Sequence, residues 1–270
     1  QMVCSTAILT SSLALSLLRH SSPPNQSFVF SPFSLNTVLS IVHDGASGET
    51  QRELTNFLLN GCTPSDVTNF YASQVFSTSN KSEVSLKLAN RFYVDDSITL
   101  KNDFQDHIKD KYKVKVEALN VHNNEEAAQM MNDFVNEATS GMIDKIIDAG
   151  QISSDTVAYL INAIYFHGKW KIPFRFTKTQ SQTFHGIKGD REMDFMRHYD
   201  ETFRVNWDKL GTALLLPYQD EKFNFFYLMP DESTNLETLR NELTGEILQQ
   251  VLERAESKKL MVYVPKFKLE

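Results

Sequence analysis

The sequence predicts an α+β fold in which helices pack with mostly antiparallel strands, and three observations predict it. Apolar residues recur at three- and four-residue spacing in some segments and at every second position in others. Strand-like runs are joined across short polar turns, as in hairpins, rather than through strand–helix–strand crossovers. Neither GxGxxG nor the P-loop pattern is present, which removes sequence support for a doubly wound nucleotide fold.

Within residues 7–18, Leu9, Leu13 and Leu17 with Ala14 and Leu18 form one apolar stripe of a helix, with Ser and Thr opposite. A signal peptide would need a basic residue ahead of that run and a cleavage site behind it, and neither is evident. Pro23-Pro24 marks a turn over 21–25, and Phe28-Val29-Phe30 reads as a short buried strand. Ser31 suits the N-cap of a helix that starts at Pro32: its hydroxyl can accept a first-turn N–H, and Pro32 has no N–H to leave unpaired. Leu35, Val38, Leu39 and Val42 predict the apolar stripe of this helix. The turn at 45–48 opens a further helix with Leu54, Phe57 and Leu58, ended by Asn60-Gly61.

Val84, Leu86, Leu88, Phe92 and Val94 alternate as one face of a strand, and Asn90 interrupts that face. Residues 125–138 return to helical spacing through Ala128, Met131, Val135 and Ala138, with Ser140-Gly141 as the stop. Over 157–166 both alternating registers are apolar, which predicts a strand covered on both faces. Inside it Asn162 is the lone polar side chain, and because an unpaired buried amide costs about 1–3 kcal/mol, it must be bonded to something specific. Residues 213–216 and 223–229 form a hairpin about the polar turn 218–221. Residues 239–252 are helical in pattern, and Leu260, Val262 and Val264 resume strand alternation before Pro265.

At 270 residues, 41% hydrophobic and 23% charged, the composition is that of an ordinary folded chain, read as one domain over 1–270. The net charge of −7, with lysines interspersed among acids, speaks against nucleic acid as a partner. No apolar run reaches the ~20 residues of a membrane-spanning helix, so no membrane partner is expected. Cys4 and Cys62 are the only cysteines and read as two free thiols, which suits a reducing compartment, whereas the sequons at Asn25 and Asn80 point the other way. The seven histidines include no HExxH pair, so neither a metal nor a cofactor is expected. The segment Gly45-Ala46-Ser47-Gly48 misses the GxSxG nucleophile pattern by one residue, and no catalytic constellation is present to make an enzyme.

Phe30-Ser31-Pro32-Phe33-Ser34, followed by Gly45 and Thr50, resembles the opening motif of the serpin family. Asn90-Arg91-Phe92-Tyr93 is similar to its second strand of sheet A. Residues 132–143 (NDFVNEATSGMI) are similar to its helix F, with Phe134 where most members have tryptophan and Met142 in place of lysine. Residues 161–174 (INAIYFHGKWKIPF) resemble the third strand of sheet A and the turn that leaves it, and Thr179 and Phe184 match downstream. Leu216-Pro217-Tyr218, Leu228-Met229-Pro230 and Val264-Pro265-Lys266-Phe267-Lys268 complete the series, so the resemblance spans nearly the whole chain.

The resemblance implies a fold of sheets A, B and C with about eight helices, and a chain that lacks the family's C-terminal quarter. It implies a shutter made of Ser31, Ser34 and Asn162, where two strands of sheet A must part. It also implies a breach made of Gly168, Trp170 and Lys266, where the reactive loop enters. The implied function is inhibition of a serine-type, or cysteine-type, protease by loop cleavage and insertion into sheet A. The alternative is a non-inhibitory member acting as chaperone, carrier or storage protein, or a truncated form without inhibitory activity. The reactive bond falls outside the sequence. The segment matching helix D, 64–77, carries no Lys or Arg, which implies no activation by heparin. Met2 lies about as far ahead of residues 30–32 as the initiator does in intracellular members, which implies a cytoplasmic protein, the alternative being a secreted one.

Overall fold

A computed structural model of the chain describes all residues except 1–4, 22–28, 60–61, 64, 68, 71–72, 74–83, 187, 232–233 and 269–270. In order, the helices are α1 (Thr6–Ser21), α2 (Pro32–Gly45), α3 (Gly48–Leu59), α4 (Asn102–Tyr112), α5 (Asn124–Ala138), α6 (Leu236–Glu242) and α7 (Gly245–Glu253), with further helical residues at 65–67, 69–70 and 73. The strands are β1 (Val84–Asp95), β2 (Lys115–Leu119), β3 (Ala158–Gly168), β4 (Gln180–Gly186), β5 (Gly189–Asp208), β6 (Gly211–Pro217), β7 (Asn224–Met229) and β8 (Glu256–Pro265). Contacts divide the chain into two compact units, one of residues 1–9, 31–81 and 85–167, the other of 10–30, 82–84 and 168–270.

The first unit carries a three-stranded sheet ordered β2-β1-β3, with β1 and β2 parallel from Arg91↔Lys115 to Asp95↔Leu119. Two cores hold it. In one, Ile41 of α2, Leu58 and Leu59 of α3 and Ile108 and Tyr112 of α4 meet Phe92 of β1 and Leu160 of β3. In the other, Ala127, Ala128 and Met131 of α5 pack on Tyr93 and Leu119, in agreement with the helical period read over 125–138.

α2 begins as its sequence dictates: Ser31 is extended at φ −109°, and its hydroxyl accepts from the Ser34 N–H at 3.1 Å. The stripe expected for it is not its buried face. The buried residues are Asn36, Thr37, Ser40, Ile41 and His43, while Val42 is 42% exposed. Apolar side chains line most of the helix, so hydrophobicity alone could not select the innermost face. β3 is the last strand of its sheet among the described residues, and it is covered on both faces over its first half: Leu160 packs into the core of α2, α3 and α4, and Tyr159 and Ile161 on the opposite face into the core of α5. The cover thins toward its end, where Phe166 is exposed, and Val157 just before the strand is exposed as well.

The second unit is built on β5, whose twenty residues pair antiparallel with β4 at one end and β6 at the other, with β7 beyond β6 and β8 alongside β5. The β5–β8 register shifts between His198 and Glu201, where Asp200 takes φ +56°. A bulge of this kind bends a strand and re-aims its side chains. The helix expected over 239–252 is two helices. Thr244 breaks it, being extended and accepting from the Ile247 N–H at 3.2 Å to cap α7. Of the strand expected over 28–30, Val29 and Phe30 are not in a strand, Val29 is 62% exposed, and Phe28 lies outside the described residues.

Cys62 is disulfide-bonded, which overturns the reading of two free thiols; Cys4, the only other cysteine, lies outside the described residues. Sequence spacing carries no information on which sulfurs meet in space. The turn at 22–25, both sequons and most of 64–77 also lie outside the described residues.

Candidate functional site

Asn162 interrupts β3 and Asn90 interrupts β1, and the two side chains meet. The Asn162 amide donates from Nδ2 to Asn90 Oδ1, and Asn90 Nδ2 donates to the Tyr112 carbonyl at 3.3 Å. This chain ties the outer strand through β1 to the end of α4. Its other end is open: Asn162 Oδ1 is buried with no hydrogen-bond partner among the described residues. So are Ser34 Oγ, Asn36 Nδ2 and Ser40 Oγ on α2. Buried polar atoms without partners are rare in folded proteins, and these four, with Arg91 Nε as a fifth in the same unit, mark a place where further donors and acceptors belong.

Ser31, Ser34 and Asn162 are therefore placed as follows. Ser31 is spent on the cap of α2, Ser34 carries an unpaired hydroxyl, and Asn162 is held by Asn90; among the described residues no hydrogen bond links either serine to Asn162. In the sequence Asn90 stands out only as an interruption. Two asparagines breaking two apolar strands are the signal that they pair.

α5 is clamped across the same sheet. The Arg91 guanidinium pairs with Glu117 of β2 and sits 4.3 Å from the Phe134 ring centroid. Phe134, the position where the sequence departs from tryptophan, thus offers an aromatic face to a cation.

In the second unit Gly168 ends β3 and Trp170 follows it. The Trp170 ring stacks on Tyr218 with centroids 4.6 Å apart and planes within 11°, with Phe174 and Phe225 edge-on at 6.2 and 6.1 Å. Backbone bonds secure the pair: Lys171 N donates to the Pro217 carbonyl and Gln219 N to the Lys169 carbonyl, each at 2.9 Å. Lys266 is exposed; its N–H donates to the Asp194 carbonyl at 2.8 Å and its ammonium lies 5.4 Å from the Phe176 ring.

His198 escaped the sequence reading. It is 4% exposed, lies 4.3 Å from Phe174 and 5.6 Å from Phe203 by ring centroid, and bonds through Nε2 to the Ile172 carbonyl at 3.2 Å. Burial, partly offset by that carbonyl, holds its pKa below the usual imidazole value. Burial likewise raises the Tyr218 phenol and pushes Tyr227 up to about 12. Among the described residues no cluster of acids, cysteines and histidines could hold a metal, and no helix is long and apolar enough to cross a membrane.

The family model Serpin (serine protease inhibitor) matches residues 9–270. Serine protease inhibitor 42Dd of Drosophila melanogaster is 33% identical over 274 residues, covering 99% of this chain and 72% of the relative. The latent-state structure of the thermophilic serpin tengpin superimposes with a TM-score of 0.87 at 22% identity, covering 99% of this chain and 72% of that one. Human thyroxine-binding globulin complexed with its ligand gives 0.85 at 22%, covering 97% and 72%. Among its most similar curated relatives the chain spans 56% to 72% of the relative's length. With a family model matched over nearly the whole chain, a relative at one-third identity and the fold shared at high TM-score, the chain belongs to the serpin family.

Proposed function

We propose that this serpin inhibits a serine-type, or cysteine-type, protease by taking a strand of its own cleaved loop into the sheet at β3, with no catalytic group of its own. The observation that carries the reading is the outer edge of β3, the last strand of its sheet among the described residues, where Asn162 Oδ1 is buried with no partner among them. An edge strand offers a row of unpaired backbone groups, and strand addition satisfies them. In serpins the strand that covers this edge before cleavage belongs to the C-terminal quarter, and the chain spans 72% of the length of its Drosophila relative. Ser31, Ser34 and Asn162 act as the shutter, and Gly168, Trp170 and Lys266 as the breach.

Incubating the whole protein with a panel of serine and cysteine proteases tests this. A complex with protease that survives boiling in detergent supports it. Loop cleavage with full release of active protease throughout the panel favours the non-inhibitory reading, to which the likeness with thyroxine-binding globulin in fold is equally suited.

Two finer points belong to the same reading. Heparin is expected to leave the association rate unchanged, because 64–77 holds no cation to meet a sulfated polymer; a large, salt-sensitive acceleration would overturn this. As to compartment, the cytoplasmic assignment loses its support from free thiols, and the disulfide at Cys62 favours the secreted alternative, since disulfides persist where the surroundings oxidise. Protein from its natural source decides: glycan on Asn25 or Asn80 with no titratable thiol supports secretion, and two free thiols without glycan refute it.

A further inference from the structure

The first half of β5 segregates its side chains across the pleat. Successive residues of a strand point to opposite faces. Over 190–199 this puts Asp190, Glu192, Asp194, Met196 and His198 on one face and Arg191, Met193, Phe195, Arg197 and Tyr199 on the other. Met196 joins the core of Phe203, Val262 and Val264, and His198 packs on Phe174, so the second face is the outer one. The acids of the first face are engaged on their own side. Glu192 accepts from the Ser181 and Thr183 hydroxyls at 3.2 and 2.6 Å, and Asp190 lies 2.9 Å from His185.

The outer face is a row of cations set on aromatic rings. Arg191 stands opposite Phe184 of β4, its guanidinium 5.2 Å from the ring centroid. Arg197 stands opposite Tyr263 of β8 and lies 5.8 Å from that ring and 5.4 Å from the ring of Tyr199. The Lys178 ammonium lies 5.3 Å from the Tyr199 ring. A ring face attracts a cation without neutralising it, and none of these three cations forms an ion pair among the described residues. Their neighbours do pair: Lys171 with Glu221 at 2.6 Å and Lys259 with Asp200 at 3.0 Å. Apolar area is exposed beside them, with Tyr199, Tyr263 and Met261 at 39%, 43% and 66%.

We propose that this face of β4, β5 and β8 docks an acidic segment of a partner protein, with Arg191 and Lys178 meeting its carboxylates and Tyr199, Met261 and Tyr263 receiving its apolar side chains. Unpaired cations gathered on one face of a chain of net charge −7 complement an anionic surface. Eight positions of strand from Arg191 to Tyr199 extend on the order of 25 Å, so a small anion engages one end only and a macromolecule is needed to use both. A sulfated polymer would meet the cations and leave the rings and Met261 in water, whereas exposed Tyr, Met and Arg together are the composition of a protein interface. Arg197, 8% exposed, is a positioning residue: it lies by both tyrosine rings, and its Nε donates to the Lys178 carbonyl at 3.0 Å. A surface ordered before its partner arrives loses less freedom on binding. The docking face uses no shutter or breach residue and does not rest on the inhibitory reading.

The test titrates the whole protein into a fluorescently labelled random copolymer of glutamate and tyrosine and follows anisotropy, with poly-glutamate and heparin as parallel probes. The copolymer is expected to bind, and both other polymers to bind more weakly. Arg191→Glu and Tyr263→Ala should each weaken the copolymer at least about tenfold. Lys111→Glu makes the same change in net charge at an exposed position of α4 and should leave binding within about twofold. Should Tyr263→Ala not fold, Met261→Ser, at a more exposed site on the same face, is expected to weaken the copolymer in the same way. Absence of copolymer binding overturns the proposal. So does an equal loss in Lys111→Glu and Arg191→Glu, which assigns the binding to net charge. Heparin binding tighter than the copolymer and unmoved by Tyr263→Ala or Met261→Ser would make the face a polyanion site and refute the protein partner.

Discussion

Asn162 shows how one amide can join a strand to its neighbour while remaining half-used. Asn162→Ala is expected to leave Asn90 Oδ1 buried without its donor and to cost about 1–3 kcal/mol. In the whole protein this should appear as a lower urea midpoint and a lower temperature for polymerisation. Wild-type unfolding kinetics and a monomer on warming would remove Asn162 from the shutter. Ser31→Ala acts at a separate place, the cap of α2, and is expected to cost about 0.5–2 kcal/mol through that cap. His198 contributes through its charge. Its folded pKa lies below the ordinary value near ~6.5 that it recovers on unfolding. Between those two values the unfolded chain binds more protons, so the stability His198 permits at neutral pH is lost as the pH falls below about 6.5. His198→Gln should flatten that acid limb of a midpoint-against-pH curve, and an unchanged limb would show that another group carries it.

At the scale of elements, tight junctions set which substitutions are tolerated. Gly211 opens β6 at φ +135°, and a Cβ there would meet the Met229 carbonyl oxygen at 2.0 Å. Gly211→Ala is expected to disrupt the β6–β7 pairing and to lower the unfolding midpoint by several degrees; a wild-type thermal transition would contradict the register Thr212↔Met229. The elements most legible in the sequence were those whose period is set by burial on one side, such as α1, α5, β1 and the β6–β7 hairpin. α2 was legible in its start and extent, because Ser31-Pro32 fixes the first turn locally, but its polar inner face was not, because apolar residues occur all round it. The break at Thr244 was hidden by apolar spacing that continues across it. Of the candidate site, Asn162 was recognisable as a polar residue in an apolar strand. Asn90 as its partner and the Trp170–Tyr218 stack depend on neighbours brought together from distant parts of the chain, which no local pattern encodes.

At the scale of the whole molecule, the outer edge of β3 governs behaviour. Residues 1–270 produced alone are expected to self-associate, because β3 carries apolar residues such as Ile161 and Ile164 and is the last strand of its sheet among the described residues. Sedimentation should show species larger than the 30.9 kDa monomer, and a peptide matching the covering strand of relatives should suppress them. A monodisperse monomer that unfolds cooperatively would sink the idea.

The stack of Trp170 on Tyr218 has an optical consequence. The chain holds two tryptophans: Trp170, partly buried in aromatic contact, and Trp207, which is 55% exposed. Iodide should therefore dim the emission of Trp207 and spare that of Trp170, leaving a residual blue-shifted band that belongs to the proposed breach. A protein lacking Trp207 would carry a built-in lamp at that entrance, and the moment at which an incoming strand pries the indole from the phenol could be timed without attaching any dye.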